Sequence, residues 1–180
     1  MIRWADLKEL ESEHLILRKI RLDDVEDYYR NVGSREAVTR YMLFDAYRDI
    51  SESRASIEKV LRRYSEGRCY RWAITRKGED RLVGIVELLR FDETDNSCSF
   101  AYMLSDDHWG KGYGTEVLNA VFAFAIREMG VEVIRADHMA ANPASGRCME
   151  KAGMVQIGME EGKYVKNGIS QDAVLYELRI

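Results

Sequence analysis

Glycine occupies every second position in one short stretch of the chain, Gly110, Gly112 and Gly114, with Lys111 between the first two. Alternate glycines forfeit side-chain packing and cost backbone entropy in a strand, so they predict a tight turn instead. An apolar helical pattern begins near Thr115, and the start of a helix offers unpaired N–H groups and the positive end of the helix dipole. This glycine loop therefore predicts a site for an anion, most naturally a phosphate.

The spacing of the glycines matches neither of two common nucleotide-binding loops. A dinucleotide-binding loop reads G-x-G-x-x-G with an acidic residue about 20 positions later. Here the third glycine comes one residue early and Asp137 stands at the wrong distance. The Walker pattern G-x-x-x-x-G-K-[ST] is absent. From the glycines alone two interpretations stay open, a phosphate site and a flexible turn that binds no ligand.

Composition excludes several classes of protein. The 180 residues include 27 basic and 31 acidic side chains, intermixed, for a net charge of −4. A nucleic-acid face would show clustered Lys and Arg, and the longest apolar run, residues 120–126, is too short to span a membrane, so neither partner is expected. No signal peptide is recognised. The three cysteines form no C-x-x-C pair and the three histidines are scattered, which predicts reduced thiols, a cytoplasmic protein and no metal.

Hydrophobic periodicity predicts an α+β fold, a single domain over residues 1–180 with a central mixed, mostly antiparallel sheet flanked by helices. Short polar turns between three consecutive strands indicate an antiparallel meander. Strands are predicted over 14–20, 70–75, 82–91, 97–104 and 131–139, with a closing hairpin at Asn167-Gly168. Helices are predicted over 22–32, 36–42, 51–66 (capped by Ser51 or Ser53), 115–129 and 143–152 (capped by Asn142).

Two motifs resemble those of the GNAT acetyltransferase superfamily. "HWGKGYGTEVLNAVFAFA" is similar to its coenzyme A pyrophosphate loop, with Trp109 as in the ribosomal-protein N-terminal acetyltransferase branch. "NPASGRCMEKAGM" is similar to that branch's motif N-x-x-S-x-R-x-x-E-K-x-G-F, with Met154 in place of the aromatic residue. The opening "ESEHLILRKIRLDDVEDYY" also resembles the branch's first strand and helix, so the resemblance runs nearly end to end.

The resemblance implies transfer of an acetyl group from acetyl-CoA to a primary amine by direct attack in a ternary complex. It implies that Asn142 hydrogen-bonds the pantetheine amide or the amine, and that Ser145 protonates the departing thiolate as general acid. A backbone N–H near Met103 would steady the oxyanion. Arg147 would approach the phosphates, with a solvated surface charge as the alternative. The cofactor-binding residues so implied are Tyr102, Met103, Leu104, Gly110, Lys111, Gly112, Tyr113, Gly114, Thr115, Asn142 and Arg147.

The general base is the weak point of the pattern. Many members of the superfamily carry a glutamate early on the strand before the loop, but this chain has Ser99 there. Glu87, on the neighbouring strand, is the nearest substitute, and its alternative role is that of a solvent-facing strand residue. Lysine, with a pKa of about 10.4, is about 0.04% neutral at pH 7, whereas an α-amine at about 7.7–8.0 is roughly 10–17% neutral. A peptide N-terminus is therefore the favoured acceptor.

Other functions stay open at the level of sequence. The acceptor could be a small amine, such as a polyamine, an aminoglycoside or an amino acid. Acidic residues could attract a cationic amine, and the candidates are Asp45, Asp49, Glu87 and Asp92. A coenzyme A sensor without transferase activity is a second hypothesis, favoured only by Ser99. A nucleotide-binding regulatory domain is a third, which the glycine spacing disfavours. The sequence leaves open a homodimer formed through the closing strands.

Overall fold

A computed structural model describes all residues, 1–180, and places eight strands in one sheet in the order β1-β2-β3-β4-β5-β6-β8-β7. Strands β1 to β8 are Leu10–Glu11, Leu15–Lys19, Tyr70–Arg76, Leu82–Asp92, Ser97–Leu104, Val133–Met139, Val155–Lys166 and Ile169–Arg179. All neighbouring strands run antiparallel except β5 and β6, which are parallel. The prediction of an α+β fold with a mixed, mostly antiparallel sheet is confirmed.

Five α-helices flank the sheet. They are α1 Val25–Tyr28, α2 Glu36–Thr39, α3 Ile50–Glu66, α4 Tyr113–Arg127 and α5 Pro143–Lys151. The predicted helix over 22–32 is divided into a 3₁₀ turn, α1 and a π turn, Tyr29–Gly33, whose last bond runs from the Ser34 N–H to the Tyr29 carbonyl, 2.9 Å. No helix of the chain has both the length and the apolar character to cross a membrane.

The cap predicted for α3 was wrong. Asp49 caps the helix by accepting a hydrogen bond from the Ser51 N–H, 2.8 Å, and Glu52 completes the capping box by reaching back to the Asp49 N–H, 3.1 Å. Ser53 is fully buried inside the helix. Because Asp, Ser and Thr are all good caps, a run such as "DISES" leaves the start ambiguous until the backbone is known.

Two apolar clusters, one on each face of the sheet, hold the helices against it. One cluster lies between the sheet and α4 and α5, with Trp72 and Leu118 fully buried. The other lies under α1 and α3 and includes Ile57 and Ile85. Each such buried side chain contributes about 1.5–3 kcal/mol of hydrophobic stabilisation. The centre of the sheet is thus covered on both sides, whereas most residues of β7 are exposed. A ligand reaches the covered part only at an edge or at a gap between strands.

Such a gap opens between β5 and β6. Only Ser97–Ser99 pair with Val133–Arg135, although β5 continues to Leu104 and β6 to Met139. The Ser105 N–H donates to the Val83 carbonyl on β4, 2.8 Å. Since backbone polar groups alternate between the two edges of a strand, the N–H and C=O groups of Tyr102 and Leu104 face the gap. The end of β5 therefore presents a free strand edge.

Candidate active site

The three glycines of the loop serve two different purposes. Gly110 and Gly112 adopt positive φ angles of 73° and 82°, and no other atom would touch a Cβ placed on either. Helix α4 begins at Tyr113, earlier than the expected start near Thr115, so Gly114 lies in its first turn. A Cβ at Gly114 would lie 3.1 Å from the Sγ of Cys148 on α5. Two glycines thus make the turn, and the third lets α4 and α5 approach closely.

The N–H groups of the glycine loop are free. No backbone N–H from Gly110 to Thr115 donates to an acceptor in the protein, and the first helical bond runs from the Glu116 N–H to the Gly112 carbonyl, 3.1 Å. This is a longer run of free donors than a helix start alone supplies. Together with the positive end of the α4 dipole, it forms a site for a strongly negative group.

A cleft of about 510 Å³ lies against this loop. Its walls are the loop itself, the free edge of β5, the first turns of α5, and α2 with the residues that follow it. The predicted site residues that line it are Tyr102, Met103, Leu104, Gly110, Gly112, Tyr113, Gly114, Thr115, Asn142, Ser145 and Arg147. The residues of both motifs therefore share one cavity with the end of β5.

Two predicted site residues do not line the cleft. Lys111 turns away from it and donates to the Asp107 carbonyl, 2.9 Å. Glu87 is mostly buried on the α3 side of the sheet, opposite Arg71 on β3, and its carboxylate lies 3.6 Å from both Arg63 and Arg71. The structure therefore does not bring Glu87 to the cleft, because two arginines hold its carboxylate elsewhere.

The other acidic candidates are also engaged outside the cleft. Asp49 caps α3, Asp92 accepts hydrogen bonds from Thr94, and Asp45 lies 3.7 Å from the amine of Lys166. None of them lines the cavity. These candidate residues therefore do not converge on the cleft.

Asn142 and Ser145 stand together at the start of α5. Asn142 occupies the N-cap position, yet its side chain makes no capping hydrogen bond, so its amide is free for another partner. The Ser145 N–H donates to the Asn142 carbonyl, 3.2 Å, which fixes the two residues relative to each other. Helix capping therefore does not account for the Asn142 side chain.

The phenol of Tyr102 reaches the same place from β5. It lies beside the Ser145 hydroxyl and the Cys148 thiol, and burial raises its pKa, so it keeps its proton at neutral pH. The family resemblance implied a role only for the backbone of Tyr102. The strand alternation of "CSFAY" was the signal that could have placed its side chain toward α5.

Two aromatic residues next to the glycine loop complete this side of the cleft. The half-exposed indole of Trp109 donates to the Leu104 carbonyl, 2.8 Å, and so ties the loop to the end of β5. His108 stacks on Tyr113 with ring centroids 6.2 Å apart, and burial lowers the pKa of its imidazole. His108 is therefore mainly neutral at pH 7.

A further wall of the cleft comes from the residues that follow α2. Arg40, Tyr41 and Met42, just after α2, line the cleft. The ammonium of Lys166, on β7, holds this segment by donating to backbone carbonyls. These belong to Thr39, Met42 and Phe44, at 2.8, 2.7 and 3.0 Å. No local pattern could have revealed this clamp, because it joins residues up to 127 positions apart.

The mixed sheet with a gap between its parallel strands, the loop of free N–H groups and the cleft between them define an acyltransferase of the kind that uses coenzyme A. The model of the acetyltransferase (GNAT) domain matches residues 14–155, and the chain belongs to this family. It is an acetyl-CoA-dependent N-acetyltransferase. No group of three or more His, Cys, Asp or Glu side chains is arranged to hold a metal ion.

Two relatives match nearly the full length of this chain in sequence, and one solved structure matches its fold. The uncharacterized N-acetyltransferase YoaA of Bacillus subtilis is 27% identical, and the match covers 94% of this chain and 95% of that protein. The spermidine N(1)-acetyltransferase of Vibrio cholerae is 20% identical, with 89% and 90% covered. The structure of RimL, a ribosomal L7/L12 alpha-N-protein acetyltransferase in complex with coenzyme A, superimposes with a TM-score of 0.85 at 16% identity, covering 96% and 98%.

Proposed function

We propose that this N-acetyltransferase acts on the α-amine of a protein or peptide N-terminus. Acetyl-CoA supplies the acetyl group, and coenzyme A leaves as the free thiol. The N–H groups from Gly110 to Thr115 would bind its pyrophosphate, with Arg147 on the adjacent α5 adding positive charge. The free N–H and C=O groups of Tyr102 and the N–H of Leu104, whose carbonyl already accepts from Trp109, would pair with the amides of the pantetheine arm, as another strand would.

The same strand edge would also stabilise charge during the transfer. A free N–H at Tyr102 or Leu104 faces the gap, where it would donate to the thioester oxygen as negative charge develops on it. Donors of this kind are preorganised by the pairing of β5 with β4 and need no rearrangement during the reaction. Removing one such donor typically costs about 10²–10³ in rate.

Ser145 would supply the proton. The amine nitrogen forms the new bond to the acetyl carbon, the carbon–sulfur bond breaks, and the Ser145 hydroxyl protonates the leaving sulfur. Tyr102, whose phenol stays protonated beside it, would orient that hydroxyl or replace its proton. Asn142 would hold the pantetheine amide or the incoming amine with the side chain that capping leaves free. The proton lost by the amine would pass to water, since no carboxylate lines the cleft.

The absence of a carboxylate from the lining of the cleft is the observation that favours an α-amine. A lysine side chain needs about 3.4 kcal/mol more than an α-amine to lose its proton at neutral pH. Glu87 is held by two arginines outside the cleft, so no acidic side chain would accept the proton of a lysine there. The likeness to a spermidine acetyltransferase keeps a small amine as the second candidate.

The test compares acetyl-CoA turnover on N-terminal peptides, polyamines, aminoglycosides and amino acids. We expect peptides to be acetylated fastest, and Ser145→Ala to lower kcat by about 10²-fold or more without changing the Kd of acetyl-CoA. The control is Ser65→Ala, an exposed serine at the end of α3. Faster turnover of polyamines than of any peptide would reject the proposal. Acetyl-CoA binding without turnover on any acceptor would favour the sensor hypothesis.

A further inference from the structure

All charged side chains that line the cleft are cations. They are Arg40, Arg147 and Lys151, and no aspartate or glutamate joins them. None of the three forms an ion pair with a carboxylate of the protein within 4.0 Å, although the chain contains many such pairs elsewhere. The cleft therefore holds positive charge that no protein group neutralises.

These cations stand on two different walls. Arg147 and Lys151 belong to α5, whose helix packs against the first turn of α4 through the contact between Cys148 and Gly114. They therefore lie on the side of the free N–H groups, where the coenzyme's phosphates would bind. Arg40 stands on a different element, in the wall formed by α2 and the residues that follow it. The phosphates account for the first two cations and leave Arg40 without a partner.

The backbone on both sides of Arg40 is held in place. Lys166 donates to the carbonyls of Thr39 and Met42, directly before and shortly after it, and the amine of this lysine is mostly buried. The Arg40 N–H donates to the Glu36 carbonyl, 2.9 Å, at the end of α2. The position of Arg40 is thus fixed, while its guanidinium stays exposed at the cleft.

We propose that the acceptor is a primary amine that carries a carboxylate close to the amine, and that Arg40 binds this carboxylate. The inference rests on the proposed function and narrows it to a peptide N-terminus followed by Asp or Glu. A guanidinium binds a carboxylate through two parallel N–H donors, which fixes orientation as well as affinity. A polyamine or a basic peptide would meet a like charge at Arg40 with no carboxylate of the cleft to offset it.

The experiment uses three matched peptides, Ser-Asp-Glu-Ala, Ser-Ala-Ala-Ala and Ser-Lys-Lys-Ala, with amidated C-termini so that no other carboxylate is present. For each, kcat/KM is measured at low salt with wild type, Arg40→Gln and Arg40→Glu. In wild type we expect kcat/KM for the acidic peptide to exceed that for the basic peptide by roughly tenfold or more. In Arg40→Glu this preference should disappear or reverse. The matched control is Arg54→Glu, which makes the same charge change on an exposed arginine of α3 away from the cleft.

Two results would overturn the proposal. One is a peptide preference that does not change between wild type and Arg40→Glu. The other is a rise in the KM of acetyl-CoA in Arg40→Glu with the acceptor KM unchanged, which would assign Arg40 to a coenzyme phosphate.

A binding measurement separates this proposal from the proposed function. Fluorescence anisotropy with a C-terminally labelled Ser-Asp-Glu-Ala peptide is measured on the enzyme saturated with coenzyme A. Binding that Arg40→Glu weakens by roughly tenfold, without any transfer to that peptide, would support the role of Arg40 and reject peptide acetylation. No binding, or binding that Arg40→Glu leaves unchanged, would reject the role of Arg40 whatever the turnover.

Discussion

Gly146 on α5 lies directly on His138 of β6, so that a Cβ on the glycine would stand 2.7 Å from the imidazole Nε2. His138 is itself held in place, because its Nδ1 lies 2.8 Å from the Met139 carbonyl and its ring packs at a tilt against Tyr176, with centroids 5.6 Å apart. Helix α5 therefore packs so closely on the sheet that only glycine fits at position 146. The first turns of the same helix carry Asn142 and Ser145.

We expect Gly146→Ala to disturb both stability and catalysis. The new methyl group would also meet the Tyr176 hydroxyl at 2.8 Å, and overpacking of this kind costs about 1–3 kcal/mol of the free energy of unfolding. A shift of α5 would move Ser145, so kcat should fall more than the change in stability alone explains. Thermal unfolding and steady-state kinetics measure the two effects. Gly158→Ala, where a Cβ would touch nothing, is the control. An unchanged kcat in a destabilised Gly146→Ala would contradict this role of the contact.

Gly112→Ala should weaken coenzyme binding through the backbone alone. Its φ is 82° and a Cβ there would contact no other atom, so the cost is the strain of a left-handed residue, about 1–2 kcal/mol. Gly78→Ala imposes the same strain at the same φ of 82°, in the turn between β3 and β4. Both variants should lose similar stability, but only Gly112→Ala should raise the Kd of acetyl-CoA, by about fivefold or more. Calorimetric titration distinguishes them, and equal affinities would argue against the loop as the phosphate site.

Lys166→Met should loosen the wall of the cleft formed by residues 40–42. The variant leaves three backbone carbonyls without their charged donor, and each such hydrogen bond contributes about 1.5–3 kcal/mol before the packing of the methionine offsets part of the loss. We expect faster amide hydrogen exchange over residues 40–45 and a higher KM for the acceptor. The Kd of acetyl-CoA should not change. Lys59→Met, at an exposed position of α3, is the control. A loss of stability with an unchanged acceptor KM would show that the clamp is only structural.

Stability should depend on pH through Glu116. Burial alone would raise the pKa of this carboxyl, but hydrogen bonds from Ser12 and His14, at 2.7 and 2.8 Å, outweigh burial and lower it. Because the pKa is lower in the folded protein than in the unfolded chain, the charged carboxylate stabilises the fold when the pH is above the ordinary pKa, near 4.5. This stabilisation is lost as the pH falls below 4.5.

The variant Glu116→Gln tests this dependence. At pH 7 the variant should lose about 1 kcal/mol of the free energy of unfolding and therefore have a lower Tm than wild type. The difference in Tm should shrink as the pH falls through 4.5 toward 3. Thermal unfolding across this range measures it. Glu9→Gln, at an exposed residue near the N-terminus, is the control. A difference between Glu116→Gln and wild type that does not vary with pH would reject the linkage.

Much of the fold follows from short-range signals. The turns "KGED" and "DETDN" predicted the meander of β3, β4 and β5, and Asn142-Pro143 with Gly153 marked the limits of α5 within a residue or two. Where local signals compete, the prediction was less accurate, as with the cap of α3 and the π turn that interrupts the first helix.

The sequence by itself determined the glycine loop, the limits of the helix that follows Asn142, and the family, because these rest on glycine and proline positions and on motifs formed by neighbours along the chain. Only the tertiary structure decided that Glu87 lies with Arg63 and Arg71 outside the cleft and that Arg40 stands inside it. It also decided the length of the gap between β5 and β6. The physical reason is that these placements depend on contacts between distant segments, such as Lys166 with the Met42 carbonyl 124 positions away, which no local pattern encodes.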